Sequence, residues 1–369
     1  METDLKMKIL HIAFSGLGGH GNVFFSMVDA DNEKQHQFEI IFFGNEEVRQ
    51  GYIEKAKQRN IPWYFVKKKP GIDFNSYRQI EKIIRQKVPD IIFLHSSSYI
   101  FPVKNAILRI SKKIKIIVRE TQPNHLKTKL NWLGLCVSLM TATKVVFLST
   151  EYRDVIKKQL SLFFSDKRTA VIPNGVDLNV YKPAEKHTHA CVNIGMQSRL
   201  SETKDHATLI DAFALVLKAA GDGAVKLYIA GDGVCKASLE KQVENLNINH
   251  AVEFTGMLEE TDLPQFINSL NIYVHATLGE TMSTAIMQVM ACRMPVIASD
   301  VLGVNNMIKH NQSGLLVPAK NAAALSAAIL QLINDQQLSA VLADNAYTFA
   351  TENYSNKKML ERYNEIFLD

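Results

Sequence analysis

The 369 residues include four cysteines, Cys136, Cys191, Cys235 and Cys292, and no two of them stand in C-x-x-C spacing. That scatter excludes a zinc knuckle and a disulfide framework and leaves four thiols of the inert, buried kind. The 11 histidines are equally dispersed, with no H-E-x-x-H or other ligand spacing, so no protein-held metal is expected. There is no low-complexity tract, and no motif interleaves aromatic with basic residues, which makes nucleic acid an unexpected partner. The opening "METDLKMKILHIAFSG" has only a short apolar run, ended by Ser and Gly. It reads as neither a signal peptide nor a spanning helix, and the expected location is the cytoplasm.

A hydrophobic content of 47% over 369 residues is enough for two ordinary α/β domains with separate cores. The net charge of +5 is unevenly spread: residues 1–183 hold 29 Lys+Arg against 17 Asp+Glu, or +12, and the remainder 13 against 20, or −7. A basic half beside an acidic half suggests a face turned to an anionic surface or substrate, and a solvated basic face accounts for it equally.

Apolar segments recur between amphipathic ones. "MKILHIAFSG", "FEIIFFG", "IPWYFV", "PDIIFLH", "IKIIVRE" and "TKVVFLST" read as buried strands, with helical segments such as "SYRQIEKIIRQKV" between them. The pattern pauses at the polar, turn-rich "IPNGVDLNVYKPAEKHTHA". It restarts with strands "VNIGMQSRL", "VKLYIAGDG", "AVEFTG", "IYVHA", "PVIASD" and "GLLV". This alternation predicts an α/β chain of two doubly wound, Rossmann-like domains, 1–183 and 184–350, facing a central cleft at the carboxyl ends of their strands. Residues 351–369 are expected to form a C-terminal helix packing back on the first domain.

Several loops carry groups suited to a phosphorylated ligand. "GLGGHGN" follows the first strand, where glycines let backbone amides approach a phosphate or simply make a tight turn. No acidic residue at the end of the second strand is placed to grip a nicotinamide ribose, which lowers a dehydrogenase reading. In "SRLSETKDH", Arg199 and Lys204 stand a short reach apart and could clamp a diphosphate, or be solvated loop residues. "AGDG" at 230–233 is another flexible loop at a strand end. In "GETMSTAIMQVMAC" a single carboxylate, Glu280, precedes an apolar helical run that Ser283 and Thr284 could cap.

The ordered set "IPNGVD", "SRLSETK", "LYIAGDG", "VEFTG", "GETMSTAIMQVMACRMPVIASD" and "NQSGLLVP" resembles glycosyltransferase family four, retaining enzymes of GT-B architecture that use sugar nucleotides. The resemblance covers the whole second domain and much of the first, which is the looser match. It implies that Glu280 accepts hydrogen bonds from donor-sugar hydroxyls and that Arg199 and Lys204 stabilise the departing diphosphate. It further implies that the amides near Ser283 and Thr284 meet that diphosphate. The loop glycines Gly231 and Gly233 go with the donor, and Gly18 and Gly19 match the family's N-terminal glycine loop. Gln288 stands where the family's second glutamate binds the nucleotide ribose, an amide in place of an acid. Thr281, Met282 and Ser283 replace the common Gly-Phe-Gly. On the acceptor side the candidates are Glu120 and His125 in "VRETQPNH" and His95 at the end of "PDIIFLH".

The expected activity is thus a metal-independent, retaining transfer of a hexose-type sugar, UDP-linked, to an acceptor hydroxyl in surface polysaccharide or glycolipid assembly, with no cofactor. The acceptor is expected to be a saccharide or lipid-linked saccharide. The basic first domain and the apolar "LNWLGLCVSLM" at 130–140 suggest peripheral attachment at the inner face of a membrane, although that stretch also reads as a buried core helix. Two alternatives stay open: another GT-B reaction such as nucleotide-sugar epimerisation or hydrolysis, and a non-catalytic nucleotide-sugar-binding scaffold.

Overall fold

Strands buried on both faces need covering layers on both sides, and the continuous apolar runs of this chain build two such sheets. The structure is a computed structural model and describes residues 6–16, 19–108, 110–185 and 191–369. Contacts divide the chain into one unit made of Met1–Gly175 with Asn356–Asp369, and a second of Val176–Ser355.

The first unit contains β1 (Met7–Ala13), β2 (His36–Gly44), β3 (Trp63–Lys67), β4 (Ile91–Leu94), β5 (Lys115–Glu120), β6 (Lys144–Phe147) and β7 (Thr169–Val171). All pair in parallel, in the order β3-β2-β1-β4-β5-β6-β7. Alternate residues feed two cores. Ile9, Ile40, Phe42, Phe93 and Ile117 meet the helices Gly19–Ala30 and Asn356–Leu368 on one face. Leu10, Ile41, Phe43, Ile92 and Val118 pack on the other face with side chains of the helices Phe74–Lys87, Ile100–Ile107 and Lys129–Thr141.

The second unit repeats the scheme with β8 (Val192–Gln197), β9 (Val225–Ala230), β10 (Val252–Gly256), β11 (Ile272–His275), β12 (Val296–Ser299) and β13 (Leu315–Val317), again all parallel, in the order β10-β9-β8-β11-β12-β13. In both sheets the strand order reverses beside the first strand of the unit, between β1 and β4 and between β8 and β11. Loops diverge there at the carboxyl ends, leaving room for a ligand.

Two boundaries differ from those expected at 183 and 350. The units change over at Gly175 and at Ser355, because the polar stretch after Pro173 is partly core: Asn174, Val176 and Tyr181 are buried. The C-terminal segment is two helices, Gln336–Asn353 and Asn356–Leu368, broken where the Val176 amide donates to the Tyr354 carbonyl at 2.7 Å. Within the first unit the helix Asn356–Leu368 buries Met359, Leu360, Tyr363, Ile366 and Phe367.

Candidate functional site

At the switch point of the second unit, β8 ends in Gln197 and β11 in His275, and the loops that follow are laced together. The Thr203 carbonyl accepts from the Leu278 amide at 2.9 Å and from Thr277 Oγ1 at 3.0 Å. The Thr277 amide donates to Ser299 Oγ at 3.0 Å. This lacing brings Lys204, in the 3-10 turn Glu202–Lys204, to Glu280, 76 positions away: Lys204 Nζ is 2.6 Å from Glu280 Oε1. Behind Glu280, His275 Nε2 approaches the same oxygen at 2.5 Å and Ser283 Oγ at 3.1 Å.

Burial alone would push the Glu280 carboxyl up. The His275 N–H and the Lys204 ammonium, converging on one oxygen, hold it instead at about 2. Burial keeps His275 below its ordinary value, so it serves as a neutral N–H donor. The backbone is fixed as well: the Glu280 amide donates to the Leu302 carbonyl at 3.1 Å. A Cβ at Gly303, whose φ is 83°, would lie 2.0 Å from the Glu280 carbonyl oxygen. The site therefore presents an ionised carboxylate beside a lysine with two donors to spare.

Arg199 is exposed in the loop after β8, and no partner for its guanidinium is found among the described residues. Ser283, the N-cap of the helix Thr284–Ala291, is buried and accepts from the Ile286 amide at 3.4 Å, whereas Thr284 is exposed at the first helical position. Gln288 takes a hydrogen bond from Gln197 Nε2 at 2.8 Å through its Oε1. Gly231 and Gly233 have a packing reason to be glycine: Cβ atoms there would come 1.9 Å from the Ser198 and 2.3 Å from the Leu200 carbonyl oxygens, with φ at 146° and 154°. The glycines thus let the 198–201 loop, and Arg199 with it, lie against the loop after β9.

In the first unit, Gly19 opens the helix Gly19–Ala30 with nothing within 4 Å of a would-be Cβ. Gly18 lies outside the described residues. His95, just past β4, is fully buried. Its Nε2 meets His11 Nδ1 at 3.0 Å, and its Nδ1 accepts from Arg119 Nη1 at 3.2 Å. Glu120 is buried in an ion pair with Lys127 at 3.1 Å, whose ammonium also bonds Tyr152 and the Gln122 carbonyl. Neither His95 nor Glu120 presents a group to solvent in this structure. Their polarity is consumed internally. His125 lies in the 3-10 turn Asn124–Leu126.

Sequence reasoning missed His275, Gln197 and Arg119. His275 and Gln197 end strands, a position that could have drawn notice in "IYVHA" and "VNIGMQSRL", whereas Arg119 inside "IIVRE" was the one cation in a buried run. Its guanidinium bonds Asn174 Oδ1 as well as His95.

The sequence model for "Glycosyl transferases group 1" matches residues 192–349, and that for "Glycosyltransferase Family 4" matches 17–180. A poly(ribitol-phosphate) alpha-N-acetylglucosaminyltransferase of Staphylococcus aureus is 30% identical over 186 residues, 50% of this chain and 37% of that protein. The chain thus spans little more than a third of that relative's length. An alpha-monoglucosyldiacylglycerol synthase of Streptococcus pneumoniae is 23% identical across 95% of this chain and 79% of its own. Among solved structures, Anabaena HepE, crystallised in complex with UDP and glucose, superposes with a TM-score of 0.82 at 20% identity, over 98% of this chain and 100% of that one. At that identity the likeness is one of fold. With both halves matched in order and the two parallel sheets of that architecture in place, the chain belongs to glycosyltransferase family four and has the GT-B fold.

Proposed function

We propose that this protein is a retaining glycosyltransferase that moves a hexose-type sugar from a UDP-linked donor to an acceptor hydroxyl without a metal ion. The observation that carries the reading is the Lys204–Glu280–His275 cluster at the switch point of the second sheet, with the unengaged Arg199 on the adjoining loop. In this assignment the ionised Glu280 accepts hydrogen bonds from donor-sugar hydroxyls. Arg199 and the remaining donors of Lys204 neutralise the charge that grows on the diphosphate as the anomeric C–O bond breaks. The first turn of the helix at Thr284 adds its free amides, and Gln288 faces the ribose. The acceptor oxygen bonds to the anomeric carbon on the face the diphosphate leaves, and the acceptor proton passes to the diphosphate. No side-chain base is required.

The UDP and glucose in the HepE structure support the choice of donor, and the names of the two relatives support a saccharide or lipid-linked acceptor. The role assigned to the first unit is acceptor binding, with peripheral attachment at the inner face of a membrane and the bulk of the protein in the cytoplasm. A thermal-shift series with UDP, GDP, ADP, their sugar conjugates and NAD, with and without magnesium, tests this. Stabilisation by UDP and a UDP-sugar independent of magnesium is the expected result, and a shift with NAD alone or with none of them defeats it. The amide at Gln288 favours one second reading, a non-catalytic binder of nucleotide sugars. It would stabilise with UDP yet turn over no acceptor.

A further inference from the structure

The helix Lys129–Thr141 has one face for the core and one that leaves large apolar side chains exposed. Gly134, Leu135, Ser138 and Leu139 point inward, and Gly134 lies so near the turn Ser97–Tyr99 that a Cβ would come within 2.9 Å of the Ser97 carbonyl oxygen. At 3.6 residues per turn the opposite stripe is Lys129, Leu133 and Met140, with Val137 between them partly buried against the core. Leu133 is 54% and Met140 45% exposed. The turn Ser161–Phe163, which contacts this helix, holds Leu162 at 93% exposure, and Leu126 just before the helix is 53% exposed. Isolated apolar side chains on a surface are ordinary, but a cluster centred on one helix is not. The helix's one charge is Lys129.

The stretch of chain that carries this patch is rich in cations, although the side chains of Arg119 and Lys127 within it are buried. Residues 104–168 hold 14 Lys+Arg against 4 Asp+Glu, a balance of +10. Three of those acids are already paired, Glu120 with Lys127, Asp154 with Arg153 and Asp166 with Lys157. At the end of the helix Arg168 bonds the Met140 carbonyl, and Lys144 bonds that of Lys167 at 3.0 Å. Among the described residues no helix is long and apolar enough to cross a membrane. An apolar centre with a cationic rim complements the headgroup and upper acyl region of an anionic bilayer.

We propose that the face centred on Leu133, Met140 and Leu162 seats the first unit on an anionic lipid surface. The inference rests on the peripheral attachment proposed above and supplies the surface that makes it. Leucine and methionine side chains enter the acyl boundary, while Lys129, Lys167 and Arg168 meet lipid phosphates.

The test is flotation of the full chain with vesicles of phosphatidylcholine alone and of phosphatidylcholine with phosphatidylglycerol. The wild type is expected to float only with the anionic vesicles and to be released by salt. Leu133→Ser combined with Leu162→Ser should lower the partition coefficient at least about tenfold. Lys129→Gln and Lys167→Gln should each lower it about fivefold. None of these residues belongs to the site assigned to the donor, so the melting temperature and the shift with UDP should be unchanged, which separates lost docking from lost folding. Failure of the wild type to float with anionic vesicles overturns both peripheral attachment and this surface. Flotation of the variants equal to wild type overturns the surface alone. Light scattering that finds a wild-type dimer, made monomeric by the leucine substitutions, overturns it in favour of a second copy.

Discussion

Glu280 is a carboxylate whose charge is assured before any ligand arrives, since Lys204 and His275 share one of its oxygens. Removing either cation assigned to the diphosphate should therefore act on the transition state. Arg199→Ala and Lys204→Ala are expected to lower kcat/KM by at least about tenfold, roughly 1.4 kcal/mol of barrier, in a UDP-release assay. The two should differ in one respect: Lys204→Ala also strips Glu280 of a partner, so its activity should fall earlier as the pH is lowered. At Gln288 the amide oxygen is already engaged by Gln197 Nε2, a donor that a carboxylate would keep. Gln288→Glu is thus expected to bind UDP more tightly by calorimetry, through a charge-assisted bond to the ribose. Unchanged or weaker affinity would mean that this side chain does not face the nucleotide.

Among the elements, the loops decide the site and the sheets only place it. Gly303 presses against the Glu280 carbonyl in a backbone conformation that disfavours other residues. Gly303→Ala should push the 279–283 loop outward and lower kcat with little loss of secondary structure, as read by steady-state kinetics beside circular dichroism. The regular elements were largely readable from sequence because parallel strands buried on both faces are continuous apolar runs. Thr169–Val171 is hard to read because three residues carry no period, and the break at Tyr354, where the distant Val176 amide bonds the chain, has no glycine or proline to mark it. The site divides in the same way. Arg199, Lys204 and Glu280 stood out by their motif order, while His275 and Gln197 looked like ordinary strand ends until the switch point brought them beside Glu280 and Gln288. Glu120 reads as a loop acid in "VRETQPNH", whereas the fold gives it a buried lysine seven residues on.

Across the whole molecule, buried and half-buried histidines set the response to acid. Burial first, and Arg119 or Lys204 second, hold His20 at about 3 and His206 at about 4. His11 and His95 are also lowered, chiefly by burial. The unfolded chain takes up these protons near 6.5 and the folded one only at those lower values, so within this window the unfolded state binds more protons. The stabilisation is complete above pH 6.5 and is lost as the pH falls towards 4, at about 1.4 kcal/mol per pH unit for each histidine. Glu280 adds loss only below its ordinary value of 4.5, down to about 2. Denaturant midpoints measured from pH 7 to pH 5 should fall steadily, and a flat profile would mean that these side chains are protonated in the native protein. The first core depends equally on residues remote in sequence: Phe367→Ala, a fully buried ring on β4's Phe93, should cost about 3–5 kcal/mol in the same denaturation experiment.

Because that core is closed by Asn356–Leu368, the order of synthesis differs from the order of completion. The second unit, Val176–Ser355, is a continuous stretch and can fold as soon as it has left the ribosome, while the earlier-made first sheet still waits for the helix Asn356–Leu368. At about 5–20 residues per second the wait is on the order of ten to forty seconds. During it, Phe24, Phe93 and Ile117 lack the side chains that cover them, so a nascent chain of this protein should engage holding chaperones through the strands and helices of its first unit until Asn356–Leu368 has emerged.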